Sequence, residues 1–139
     1  MSEARRTGPA LVVGAAALDV VLVVAFAVIG RSSHAEVLDV AGIWGTAWPF
    51  LAGLVLGWLA AGAWRHPLVI WPTAVVIWAS TLVLGMLIRF AAGGDVVLAF
   101  AIVAALTLAL FLLGWRGIAL LARRLRRARR AAAGTAGVA

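Results

Sequence analysis

One acid stands alone in an apolar stretch: Asp19, with only Ala, Gly, Val, Leu, Ile and Phe around it from Ala10 to Ile29. An ionisable group in such surroundings is expensive to keep. It marks either a proton, ion or substrate site, or a hydrogen-bonded link between helices. Counted along helices that rise about 1.5 Å per residue, Ser80, Thr81 and Thr107 fall at a similar depth in later apolar stretches. That spacing predicts a mid-depth polar cluster of Asp19, Ser80, Thr81 and Thr107. Arg31, Arg89 and Arg116 all lie toward stretch ends, more than roughly 10 Å from Asp19 along the membrane normal. The carboxyl is therefore expected to stay neutral and to donate to a hydroxyl or carbonyl on a neighbouring helix.

A second group of polar residues lies between the apolar stretches: Arg31, His34, Glu36, Asp39, Arg89 and Asp95, close to Trp44 and Trp48. Arg31 and Arg89 there suit an anionic headgroup or a small anion, with His34 and Trp48 as further candidates. The plainer reading is a solvated loop whose exposed ion pairs contribute little. One histidine beside two acids falls short of a metal site. Cysteine is absent, which excludes disulfides, thiolate metal ligands and a cysteine nucleophile. No Ser-His-Asp spacing, pair of catalytic carboxylates, phosphate loop or matched pair of haem-ligand histidines occurs. These residues predict no enzyme, cofactor or metal.

The elements that must position these residues are helices in a bilayer. The chain is 65% apolar and 12% charged over 139 residues, more apolar surface than a water-soluble core of that size can hide. Four stretches reach the length of about 20 residues that a spanning helix needs: 10–29, 44–64, 68–88 and 96–115. Pro49 and Pro72 fall in opening turns, where the missing N–H is tolerated. The twelve Val, Leu, Ile and Phe residues of the first stretch offset the roughly 2.5–3.5 kcal/mol insertion cost of its central acid. Arg5-Arg6 and Ala25-Phe26-Ala27 resemble parts of a cleaved leader, but a leader's apolar region is shorter and avoids a central acid, so the stretch is read as a retained span.

Orientation follows from the arginines, the chain's only basic residues apart from its two histidines. With the N-terminus inside, the inner flanks hold ten (Arg5, Arg6, Arg65 and the seven from Arg116 to Arg130) and the outer flanks two, Arg31 and Arg89. The expected architecture is all-α and polytopic, with four transmembrane helices, short loops and both termini cytoplasmic. Residues 1–9 form a cytoplasmic segment, 10–116 the membrane domain and 117–139 a basic cytoplasmic tail. In the tail, Leu120, Leu121 and Leu125 alternate with arginine pairs, as in a helix lying along inner headgroups before a disordered Ala/Gly end. Arg116, Arg123, Arg124, Arg126, Arg127, Arg129 and Arg130 are its candidate contacts to anionic lipid. A basic cluster directly after an apolar span points to lipid rather than nucleic acid.

Seven tryptophans fit an interfacial belt at Trp44, Trp48, Trp64, Trp71 and Trp115, while Trp58 and Trp78 lie deeper and need internal acceptors for their N–H groups. Gly53 and Gly57, extended by Gly45, make a face where another backbone can approach closely. Internal packing and a homodimer through Gly53/Gly57 are the two uses of that face.

Asp19, Ile29-Gly30-Arg31 with His34, Thr46-Ala47-Trp48-Pro49-Phe50 with Gly53, Gly85-Met86 with Arg89, and Leu113-Gly114-Trp115-Arg116 together resemble the actinobacterial and haloarchaeal membrane proteins of domain-of-unknown-function family 3054. The ordered set covers about Leu18 to Arg116. The resemblance implies a four-span protein of the cell membrane and no particular mechanism. Two functions follow from the residues. The first is a non-enzymatic membrane protein in which Asp19 and the outer arginines serve packing, lipid contact or a partner. The alternative is a small proton-coupled transporter or channel using Asp19, similar to the small multidrug-resistance transporters. The two part on whether Asp19 faces a cavity or packed neighbours.

Overall fold

A computed structural model describes residues 7–136, with side chains through Gly134. Arg5 and Arg6, counted for orientation above, lie outside the described residues. Four α-helices follow one another: α1 (Pro9–Ser33), α2 (Val40–Ala61), α3 (Val75–Ala91) and α4 (Leu98–Ala136). All four are long and apolar enough to cross a membrane once the kinked segment Ile70–Ala74 that leads into α3 is included.

The boundaries have local causes. Pro9 opens α1, where its missing N–H costs nothing. The helix runs four residues beyond the expected Ile29, and its last turn carries Ser32 and Ser33 with their hydroxyls donating to the Ile29 carbonyl at 2.9 and 2.8 Å. Asp39 caps α2 by accepting from the Gly42 N–H at 3.0 Å, so this helix starts at Val40 rather than Trp44. It ends at Gly62, whose left-handed backbone (φ 56°) lets its N–H and that of Ala63 reach back to Leu59 and Trp58. The third stretch, expected as helix from Leu68, is broken at Trp71. That residue is extended (φ −109°, ψ 128°), as a residue before proline prefers.

The helices form a ring in which the backbones of α1–α2, α2–α3, α3–α4 and α4–α1 come close while those of the diagonal pairs stay apart, the Phe50 ring of α2 meeting the Phe100 ring of α4 across the centre. The ring gives the bundle two ends. The tail end holds the start of α1, the α2–α3 turn and the exit of α4. The loop end holds the α1–α2 loop and the α3–α4 turn. Val23, Phe26, Phe50, Leu54, Ile77, Ala104, Leu108 and Leu112 fill the centre. Outward-facing Val13, Leu87, Leu106 and Leu110 remain 58–69% exposed, an apolar exterior suited to lipid rather than water.

The closest helix pair is α2–α3, and glycine permits it. A Cβ at Gly53 would stand 2.8 Å from the Ser80 carbonyl oxygen, and one at Gly57 3.0 Å from the Ile77 Cα. The Gly53/Gly57 face, weighed above for a second copy of the chain, is thus filled by α3 of the same chain. Gly45 has open space around it. Ser80 donates across this contact to the Gly53 carbonyl at 2.9 Å, and Thr81 to the Ile77 carbonyl of its own helix at 2.7 Å.

The last helix departs most from expectation. It continues without a break past Arg116 through the whole basic segment to Ala136, so the expected separate surface helix and disordered Ala/Gly end are replaced, as far as Ala136, by a single rod. Nothing from Gly117 onward contains a proline to interrupt the ladder, and the Arg- and Ala-rich tail is a strong helix former.

Gly53→Ala is expected to lower the thermal midpoint in detergent by the equivalent of about 1–3 kcal/mol, the scale of overpacking, while Gly45→Ala leaves it unchanged. Equal midpoints for the two variants would mean that α2 and α3 do not meet at Gly53.

Candidate functional site: a sealed ion pair and an open cleft

Asp19 is fully buried at the tail-end side of the bundle, and its side-chain hydrogen-bond partners are all N–H donors. Oδ1 accepts from Trp115 Nε1 at 2.8 Å and Arg116 Nη1 at 2.9 Å; Oδ2 accepts from Trp58 Nε1 at 2.9 Å and Arg116 Nη2 at 2.7 Å. These bonds fill the four lone-pair positions of a carboxylate. Arg116 is equally sealed, with no exposed surface. Besides gripping both carboxylate oxygens it donates from Nε to the Pro67 carbonyl at 2.8 Å and from Nη1 to the Leu112 carbonyl at 2.7 Å. No buried side-chain nitrogen or oxygen among the described residues lacks a partner.

This geometry corrects three expectations. Asp19 does not donate to a hydroxyl; it accepts from four N–H groups. It does not form a cluster with Ser80, Thr81 and Thr107, since the first two bond to backbone as described above and the third lies elsewhere. Arg116, expected at lipid headgroups, lies inside the bundle against Asp19.

The reach of the pair has a simple origin. Measured from the loop end, Asp19 lies about 21 Å down α1 and Arg116 about 27 Å down α4, a difference of about 6 Å. Side chains on a helix lean toward its N-terminus. Because α1 and α4 run in opposite directions, Asp19 leans toward the tail end and Arg116 away from it, and the two converge. Arginine's length closes the rest. Of the partners missed from sequence, Trp58 carried a signal as a deep indole needing an acceptor and Arg116 as a cation at the end of a span with an unpartnered acid elsewhere, whereas Trp115, which fits the interfacial belt by its position, carried none.

The loop end is arranged differently. A cleft of about 650 Å³ opens there between α1, α2 and α4, lined by residues that include Arg31, His34, Glu36, Arg89, Asp95 and Thr107. Most of the polar residues assigned to one mouth are thus brought together, although Asp39 serves as the α2 cap. Trp48 is half-buried on α2 and lines no part of the cleft. The deep Trp78 donates to the Ala105 carbonyl at 3.0 Å.

The two cleft arginines differ in what they have left to offer. Arg31 is engaged by Glu36 Oε2 at 2.7 Å, by the Val37 carbonyl at 2.7 and 3.2 Å, and by the Thr46 hydroxyl at 3.4 Å. Arg89 is held by its Nε on the Asp95 carbonyl at 3.2 Å and by its face over the Phe100 ring at 5.2 Å. Its two terminal nitrogens have no hydrogen-bond partner among the described residues. A positioned guanidinium with free Nη groups is a ready donor for a carboxylate or phosphate.

Fold and site together define a four-helix protein, with helices long and apolar enough for a membrane, that is locked at one end by a buried ion pair and open at the other through a polar cleft. The chain belongs to the family described as protein of unknown function (DUF3054), whose model matches residues 16–119, a stretch that includes both Asp19 and Arg116. No curated protein and no solved structure matches it.

Removing one member of a buried ion pair leaves the other charge uncompensated, a loss of about 3–5 kcal/mol. Asp19→Leu and Arg116→Leu should each destabilise the bundle on that scale. The double variant should lose clearly less than the two single losses added together. Asp19→Asn should also melt early, because it too strands the arginine. A wild-type midpoint for Asp19→Asn would show that the pair does not hold the bundle.

Proposed function

We propose that this chain is a non-enzymatic, multi-pass protein of the cell membrane, with both termini in the cytoplasm, that binds an anionic group in its outward-facing cleft. The observation that carries this reading is the contrast between its buried and open charges. Asp19 is sealed by four donors and lines no part of the cleft, whereas Arg89 stands in the cleft with its terminal nitrogens free. The loop end faces outside in this reading, because the tail end carries Arg65 and the arginines of the tail.

The alternative, a proton-coupled transporter or channel using Asp19, requires protons and substrate to reach the carboxylate. Its enclosure by Trp58, Trp115 and Arg116 favours a structural role instead. On the inner side, Arg123, Arg124, Arg126, Arg127, Arg129 and Arg130 are exposed along α4 beyond the bundle. We assign their first turns to the anionic headgroups of the inner leaflet, each basic residue near that surface contributing about 1 kcal/mol. The unbroken helix carries the later ones away from the surface.

Reporters fused before Gly8, in the Arg65–Pro67 turn and after Gly134 should register as cytoplasmic, and those between Ser32 and Glu36 or at Gly93–Asp95 as external. An external C-terminus would overturn the orientation.

Anion binding has a direct readout in the purified protein. Sodium phosphate should raise the thermal midpoint more than sodium chloride at equal ionic strength. Arg89→Gln should remove that difference while leaving the midpoint in chloride unchanged. A phosphate effect that persists in Arg89→Gln would sink the assignment of Arg89.

A further inference from the structure

The cleft is not only a polar mouth. Phe26 and Thr107 line it as well, about 10 Å and about 13 Å below the loop-end termini of α1 and α4 respectively. Its lower part is therefore deep enough to enter the hydrocarbon layer, whose full thickness is about 30 Å. Phe26 and Phe100 meet there as neighbouring rings, 6.4 Å between centroids, and Phe100 also carries the Arg89 guanidinium on its face. The apolar floor and the free cation are thus parts of one surface.

The cleft also carries exposed apolar residues on two facing helices. Ile29 on α1 and Val103 on α4 both line it, and both are about half exposed, 49% and 59%. Uncovered apolar side chains on two facing helices point to a lateral path between α1 and α4. A Cβ added at Gly30 would meet nothing within 4 Å, so no side chain closes the path at that position of α1. A water-soluble ion has no use for such a path or for the apolar floor beneath it.

Building on the anion-binding reading above, we propose that the cleft takes a phospholipid from the outer leaflet. Its phosphate sits on the free Nη groups of Arg89, and one acyl chain passes between α1 and α4 along Ile29, Phe26, Phe100 and Val103. The charges fit a single phosphate. Arg31 is neutralised by Glu36, Asp95 is an exposed residue of the cleft lining whose backbone carbonyl holds Arg89, and Arg89 is the cation with donors left over. The volume of about 650 Å³ holds a headgroup with part of a chain and lies in the usual range for small-molecule sites. A lipid reaches the site by lateral diffusion, without crossing the aqueous mouth.

The test uses the full chain in a neutral maltoside detergent with three probes: dioctanoyl phosphatidylglycerol, glycerol 3-phosphate and dioctanoylglycerol. These carry chains with phosphate, phosphate alone and chains alone. Binding is read by native mass spectrometry and by the shift in thermal midpoint. Dioctanoyl phosphatidylglycerol should bind more tightly than either of the other two. Arg89→Gln should weaken it about tenfold or more, the scale of a lost charge-assisted hydrogen bond. Val103→Trp fills the lateral path from an exposed position without touching the cation. It should weaken the lipid by a similar factor and leave glycerol 3-phosphate unaffected, with ligand-free midpoints at the wild-type value showing that both variants fold. If glycerol 3-phosphate binds as well as the lipid and Val103→Trp changes neither, the phospholipid is rejected while the anion site stands. If neither phosphate probe responds to Arg89→Gln, the anion site is rejected as well.

Discussion

Two full charges shut away from water must satisfy each other almost completely, because the cost of removing each from solvent far exceeds an ordinary hydrogen bond. Asp19 and Arg116 meet that demand through a bidentate contact in which every remaining polar atom is also used. The requirement propagates outward. The carboxylate draws in an indole from α2 and another from α4, and the guanidinium takes a carbonyl from the α2–α3 turn. One interaction therefore sets the relative height of α1 and α4, the rotation of α2 about its axis and the path of the chain between α2 and α3. The tail end of the bundle has little freedom left once this pair is made.

Elsewhere the bundle is held by shape. Gly53 and Gly57 bring the backbones of α2 and α3 together, and Phe26, Phe50 and Phe100 pack as a trio toward the loop end. Among the described residues no ion pair knits α1 to α4 at that end, where the salt bridge present joins Arg31 to Glu36 in the adjoining loop. The helices part into a cleft. Rigidity is concentrated where the buried charges lie and openness where the charged groups reach solvent.

The arginines show how far placement decides what one residue type does. Arg116 is buried and neutralised, Arg31 is tied to its own loop, Arg89 is held by one nitrogen with others free, and those from Arg123 to Arg130 are exposed along a helix beyond the bundle. Composition counts them alike. A guanidinium's use depends on which of its five donors already have acceptors, and that is settled by neighbours distant in sequence.

The four helices and the gathering of Arg31, His34, Glu36, Arg89 and Asp95 at one end were legible from the chain alone. Runs of apolar residues long enough to cross a bilayer leave few alternatives to helix, and short connections force successive helices to alternate in direction. The family was legible from the ordered pieces between Asp19 and Arg116. Local chemistry moved the boundaries: the Asp39 cap, the left-handed Gly62 and the extended Trp71 before proline each act over one turn. The partner of Asp19 belonged to the tertiary structure. Position along a span measures height but not rotation about the axis, and it ignores the lean of each side chain toward its own helix start. For two antiparallel helices those leans oppose each other, and they bring together an acid and a base that a count along the chain holds apart. The free nitrogens of Arg89 were hidden for the same reason, since which donors remain unpaired is known only once the fold has supplied all the acceptors.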